Sequence, residues 1–243
     1  MYYNDGSKYE GQWVKGLKHG NGIFNYNDKK IYNGQFKDGI MEGKGEFIYE
    51  NNETYNGGVK NGKREGYGIY KMLNGNIYEG QFVNNKKEGK GTMIYKNGDK
   101  YEGYFKNDKR EGKGTVTYKN EDKYDGNFEN DKCEGIITYY FKDKTKYVGG
   151  YENEKFKGKG IMTYKDGSRY EGNWKNSLKD GKGIMYYNNG DKLEGNWKKG
   201  KLEGDAIYYY SNGEKEIREY SQDKKIGIHT TIKINGRINL IIY

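Results

Sequence analysis

One tripeptide shape returns every 23 residues. It stands at Tyr9-Glu10-Gly11, Tyr32-Asn33-Gly34, Tyr55-Asn56-Gly57, Tyr78-Glu79-Gly80 and Tyr101-Glu102-Gly103. It continues at Tyr124-Asp125-Gly126, Tyr147-Val148-Gly149, Tyr170-Glu171-Gly172 and Leu193-Glu194-Gly195, with no insertion or deletion. A fixed period of this length makes each unit one supersecondary element that buries its apolar side only against its neighbours. Other columns keep the same phase. Four residues after the first Tyr position come Trp13, Phe36, Val59, Phe82, Phe105, Phe128, Tyr151, Trp174 and Trp197. A Gly column follows (Gly20, Gly43 and so on to Gly204), and Gly returns two residues later except at Ile137 and Ala206. Beyond it, large residues alternate, as in Val116 and Tyr118 or Met162 and Tyr164.

These columns are two period-2 runs per unit, which predicts two strands and no helix. Asp5-Gly6, Asn74-Gly75, Asn97-Gly98, Asp166-Gly167, Asn189-Gly190, Asn212-Gly213 and Asn235-Gly236 read as type I′ hairpin turns. Alternate strand residues point the same way, so Tyr101, Gly103 and Phe105 share a face, as do Gly112, Gly114, Val116 and Tyr118. Glycine weakens a strand unless a neighbouring ring lies across the bare backbone. The opposite face carries Glu102, Tyr104, Lys113, Thr115 and Thr117. Composition agrees: 32% hydrophobic residues is well below the usual ~45–50%, which excludes a thick core, while 16% aromatic residues excludes a disordered chain. The expected fold is all-β, an elongated single-layer antiparallel sheet of tandem 23-residue hairpins. Residues 1–213 hold nine full units from Tyr9, and residues 214–243 form a degenerate capping hairpin in which Arg218 and His229 stand at glycine positions.

The columns resemble MORN (membrane occupation and recognition nexus) repeats over about residues 3–213. The likeness is clearest in Tyr78-Glu79-Gly80-Gln81-Phe82, Glu88-Gly89-Lys90-Gly91-Thr92 and Asn97-Gly98-Asp99-Lys100-Tyr101-Glu102-Gly103. The resemblance implies an elongated hairpin scaffold of the kind found in ciliary axonemes, radial-spoke heads and other cytoskeletal assemblies, with a partner segment in an aromatic–glycine groove. Lipid binding was the early proposal for such repeats. Glu42, Glu65, Glu88, Glu111, Glu134 and Glu203 depart from the pattern, standing where the family commonly has His.

The expected function is therefore a non-enzymatic scaffold for protein–protein interaction. Its partner-binding candidates are Trp13, Phe36, Phe82, Phe105, Phe128, Trp174, Trp197, Tyr118 and Tyr164, because a single layer leaves part of its ring-bearing face open. The alternative is a membrane-associated tether that meets anionic phospholipid through the ladder Lys63, Arg64, Lys86, Lys87, Lys109 and Arg110. Self-association through the aliphatic C-terminal edge (Ile238, Leu240, Ile241, Ile242) is a further expectation. No nucleic-acid partner is expected: the net charge of +9 is carried mostly by Lys, and only five Arg are present. No catalytic group, cofactor or metal is expected either. His19 and His229 lie far apart in the repeat array, the one cysteine (Cys133) falls in a hairpin loop, and Gly89-Lys90-Gly91-Thr92 lacks the spacing and following helix of a phosphate loop. A single Cys, a polar opening segment and the absence of a ~20-residue apolar run point to the cytoplasm, with the cytoskeleton or axoneme as the setting.

Overall fold

The computed structural model describes residues 1–242. They form 22 strands and no helix, in one open antiparallel sheet. The sheet divides into two units: residues 1–119 with 128–132, and residues 120–127 with 133 onward.

In the first unit each period is a seven-residue strand, a two-residue turn, a nine-residue strand and a loop. Lys100–Lys106 and Lys109–Thr117 show the plan. Their register places Tyr101 opposite Val116, Gly103 opposite Gly114 and Phe105 opposite Arg110. The preceding strand, Lys86–Ile94, sets Met93, Gly91 and Gly89 against the same three residues. The columns of the sequence thus become rows that run across the strands. Tyr101 lies over both Gly103 and Gly114: a Cβ on either glycine would run into its ring. Its hydroxyl donates to Tyr104 O at 3.0 Å, and Tyr9 repeats the bond to Gln12 O at 3.0 Å. Gly112 has a separate task. The register shifts between Glu111 and Gly114, and Gly112 takes the bulge at φ 67°, a conformation that suits glycine.

The turns differ from the expectation. The type I′ turns lie at the other end of each hairpin: Asn107 and Asp108 both have positive φ, 49° and 71°. Asn97-Gly98 instead belongs to a three-residue loop. Tyr95 N donates to Asp99 O and Gly98 N to Tyr95 O, both at 2.9 Å, and Gly98 alone of the pair is left-handed. This is a type I turn followed by a bulged glycine. Asn97 is needed for its side chain, whose Oδ1 accepts Asp99 N–H at 3.0 Å. Where glycine is missing the loop keeps its shape: Asn52 sits at φ 66° and Asn51 Oδ1 accepts Glu53 N–H at 3.1 Å.

The second unit repeats the plan with three departures. Near Gly126, Cys133 and Ile137 fill the space that a Tyr ring covers elsewhere, and Tyr124 stacks on Tyr139 at 6.0 Å. Near Gly195 the filling comes from Leu202 and Ala206. In the hairpin of Lys215–Ser221 and Lys224–Ile232, Glu216, Arg218 and His229 occupy the Tyr, Gly and Gly positions, and all three are buried. Arg218 donates to Glu216 Oε2 (2.7 Å) and to the hydroxyls of Tyr210 (2.9 Å) and Tyr220 (3.3 Å). His229 Nδ1 lies 3.2 Å from Glu216 Oε1, and Nε2 lies 3.2 Å from Ile226 O. Burial alone would raise the Glu216 carboxyl, but hydrogen bonds from Arg218 and Tyr210 and the Arg218 charge outweigh it and hold the group at about 2. A buried ion network thus stands where the sequence showed only lost glycines. The last strand, Ile238–Ile242, is exposed throughout.

Candidate functional site

The aromatic face is closed more tightly than a single layer suggests. After Trp13, which packs edge-on against Tyr9 of its own repeat, each Phe or Trp of the second column packs edge-on against the Tyr of the preceding repeat. Tyr78 and Phe105 are 5.0 Å apart at 83°, Tyr101 and Phe128 4.9 Å at 76°, and Tyr170 and Trp197 5.0 Å at 75°. Trp174 also donates Nε1–H to Gly160 O at 3.2 Å. Phe36, Phe82, Phe105, Phe128, Trp174 and Trp197 are consequently only 1–6% exposed, so these six expected partner-facing rings lie inside the packing. Of the nine, Trp13 is exposed and Tyr118 and Tyr164 are half-buried. Burial pushes the Tyr164 hydroxyl up to about 12.

The basic ladder is also drawn into the sheet. The Arg64 guanidinium lies 4.4 Å from the Tyr70 ring centre and 5.1 Å from Phe82, Arg110 lies 5.0 Å from Phe128, and Lys87 lies 5.7 Å from Phe105. Burial lowers the Lys87 ammonium from its usual range. Lys63, Lys86 and Lys109 stay exposed, each donating to the next repeat's turn residue: Asn84 (3.3 Å), Asn107 (3.1 Å) and Asn130 (3.2 Å). Half of the ladder therefore faces rings rather than solvent.

The opposite, polar face of the second unit holds an open trough of about 1020 Å³. Five strands cross it, and each contributes three consecutive residues. One rim is Ile161, Glu171, Ile184, Glu194 and Ile207, paired in that order from strand to strand. The other is Lys159, Asn173, Lys182, Asn196 and Asp205. The floor is the backbone of Gly160, Gly172, Gly183 and Gly195, closed at one end by Ala206. Arg169 and Lys192, outside the trough, pair with Glu171 (3.1 Å) and Glu194 (2.9 Å) and hold both carboxylates at the rim. The sequence carried this signal for the first rim: its residues are the middle of each repeating tripeptide and the residue after the second Gly column. Among the described residues no group of three or more His, Cys, Asp or Glu is placed to hold a metal, and no helix is long and apolar enough to cross a membrane.

The repeat geometry has its counterpart in a family model. The MORN repeat model matches nine consecutive stretches, 9–30, 32–54, 55–77, 78–100, 101–123, 124–146, 147–169, 170–192 and 194–215. The chain belongs to the MORN-repeat family. No curated protein matches it. Among solved structures it is similar to the TCP10 domain of Danio rerio CPAP in complex with a peptide of Danio rerio STIL, at 10% identity and a TM-score of 0.48, covering 96% of this chain and 97% of that one. It is also similar to the Drosophila melanogaster SAS-4 (dCPAP) TCP domain in complex with a proline-rich motif of Ana2 (dSTIL), at 17% identity and a TM-score of 0.42, covering 63% and 84%. Likeness at this level carries nothing about the chain's own partners.

Within this MORN chain the Glu column has a structural task that the sequence did not disclose. Glu65, Glu88 and Glu111 accept the backbone N–H of Asn84, Asn107 and Asn130, the turn residues of the next repeat, at 2.9, 3.0 and 3.1 Å. Asn85, Asp108 and Asp131 return the contact by accepting N–H from Arg64, Lys87 and Arg110 at 2.8–2.9 Å. The constant 19-residue step from Glu to the turn residue was visible in the sequence, but nothing there marked it as a bond.

Proposed function

We propose that the chain is a non-enzymatic scaffold that docks segments of other proteins lengthwise on its repeat sheet, as part of a larger assembly. The observation that carries this reading is the trough of the second unit, open along five strands and lined by mixed apolar and charged rims. The buried rings of the other face support it, since they serve the sheet itself. The cytoskeletal or ciliary setting follows the MORN resemblance alone. Trp13, Tyr118 and Tyr164 are the candidates on the ring-bearing face that keep some exposure.

Co-precipitation from the native cell tests the reading, comparing the parent chain with Ile184→Asp and with the pair Tyr118→Ser and Tyr164→Ser. The expected outcome is loss of co-precipitating proteins with Ile184→Asp alone. Loss with the tyrosine pair alone would move docking to the aromatic face, and no loss with either would end the proposal. Flotation with anionic vesicles at ~0.15 M salt addresses the tether. With Arg64, Lys87 and Arg110 turned onto rings, the chain is expected to stay unbound. Flotation abolished by neutralising Lys86, Lys87, Lys109 and Arg110 would favour the membrane instead.

A further inference from the structure

The trough is chemically periodic. Its first four cross-lines alternate strand by strand: Ile161-Gly160-Lys159, then Glu171-Gly172-Asn173, then Ile184-Gly183-Lys182, then Glu194-Gly195-Asn196; the fifth, Ile207-Ala206-Asp205, keeps the Ile and has Asp where Lys stood. Like lines recur every second strand, about 9.4–9.8 Å apart. A polyproline II chain rises ~3.1 Å per residue with three residues per turn, so one turn covers ~9.3 Å. A segment of that form lying along the trough presents the same face to the same line at every third residue. Five strands span about 19 Å, or about six residues of such a chain.

Resting on the scaffold reading above, we propose that this trough takes a polyproline-type protein segment carrying Lys or Arg at every third residue. The cations meet the Glu171 and Glu194 lines, where the Asn173 and Asn196 amides add acceptors, and the intervening residues lie over Ile161, Ile184 and Ile207. Charge sets both sign and phase. Glu171 and Glu194 are held at the rim by Arg169 and Lys192, with side chains only 33% and 37% exposed. Lys159 and Lys182 are exposed and swing clear of an apolar residue at small cost, yet they repel a cation placed one strand out of phase on their own two lines. The chain's net charge of +9 opposes a basic segment only at long range, because exposed charges are screened beyond ~8 Å at physiological salt. A prolyl-rich chain also loses little conformational entropy on docking.

Three synthetic peptides and the full chain test this, followed by amide chemical-shift titration. One peptide has Lys-Pro-Pro three times, one Glu-Pro-Pro three times, and one the same three lysines at every fourth residue. The three-residue lysine peptide is expected to bind with shifts on residues 159–161, 171–173, 182–184 and 194–196, and about threefold to tenfold more weakly to the double variant Glu171→Gln, Glu194→Gln. Equal binding of the glutamate or four-residue peptide, or no effect of the double variant with the fold intact by circular dichroism, would overturn the proposal. Selection from a displayed library of random segments separates this failure from failure of the scaffold reading. Enriched sequences without a three-residue basic period end the inference about chemistry but keep the scaffold. No enrichment at all ends both.

Discussion

The four glycines of a repeat look alike in the sequence and divide among three physical tasks. Gly112 is there for its backbone angle, Gly98 closes a loop, and Gly103 and Gly114 are bare because Tyr101 lies across them. Substitution distinguishes them. Gly114→Ala forces the Tyr101 ring out of a close-packed place and is expected to cost about 1–3 kcal/mol. Gly98→Asn should cost well under ~1 kcal/mol, because Asn accepts the left-handed conformation and already does so at Asn52. Tyr101→Phe keeps the ring but loses the bond to Tyr104 O, for about 1 kcal/mol. Denaturant unfolding of the three variants checks the order, and a Gly98→Asn cost matching that of Gly114→Ala would contradict the assignment. The period alone showed that ring and glycine share a face. It carried no φ, so the bulge at Gly112 was not legible.

At the scale of the hairpin, local sequence signals were legible as turns and misleading as to type. Asn-Gly favours type I′ when two left-handed residues are needed, but here Asn97 serves through its side chain. The true type I′ turn Asn107-Asp108 carries no glycine and is fixed by bonds to the neighbouring repeat, including the one Asn107 N–H donates to Glu88 Oε2. The final hairpin shows the same limit. The departures at Arg218 and His229 were visible, but not that they meet Glu216 inside the sheet. Removing one partner of a buried ion network leaves the other uncompensated, so Glu216→Ala is expected to cost about 3–5 kcal/mol and to release amide protection across residues 215–232. Restoring the repeat's own solution with Glu216→Tyr, Arg218→Gly and His229→Gly together is expected to be neutral or stabilising by ~1–4 kcal/mol. Hydrogen exchange on both variants is the check. A triple variant as loose as Glu216→Ala would show that the last hairpin cannot adopt the ring-over-glycine packing. Acid acts in the same direction as Glu216→Ala: with the folded carboxyl near 2 and the usual value at 4.5, its contribution is full above pH 4.5 and fades as pH falls toward 2.

Across the whole molecule the dominant buried group is one phenol per repeat. Tyr9, Tyr32, Tyr55, Tyr78, Tyr101, Tyr147 and Tyr170 are all fully buried. That rings would cover glycines could be read from 23-residue spacing. That they would in turn be covered could not, because the covering ring stands 27 residues further on, as Phe105 does for Tyr78. This is why the ring-bearing face looked open in the sequence and is largely closed in the sheet, and why the rims of the polar face, hidden among ordinary Glu, Lys and Ile, became the candidate site. The repetition has a consequence in alkali. Burial pushes the hydroxyls of Tyr32, Tyr55, Tyr101 and Tyr170 up to about 12 from an ordinary value of 10.0, with Arg64 and Arg110 drawing Tyr55 and Tyr101 partly back. An acid whose folded value is raised keeps its full contribution below the unfolded value, so stability is intact below pH 10 and falls as pH rises from 10 to 12. Each repeat loses a share, and because repeats are stabilised by their neighbours the losses add along the array. Ultraviolet titration of phenolate together with circular dichroism is expected to show the buried set ionising only as the β signal collapses. Complete phenolate formation near pH 10 with an undiminished β signal would mean that the rings are not sealed between repeats, and the packing described for the whole array would fail with it.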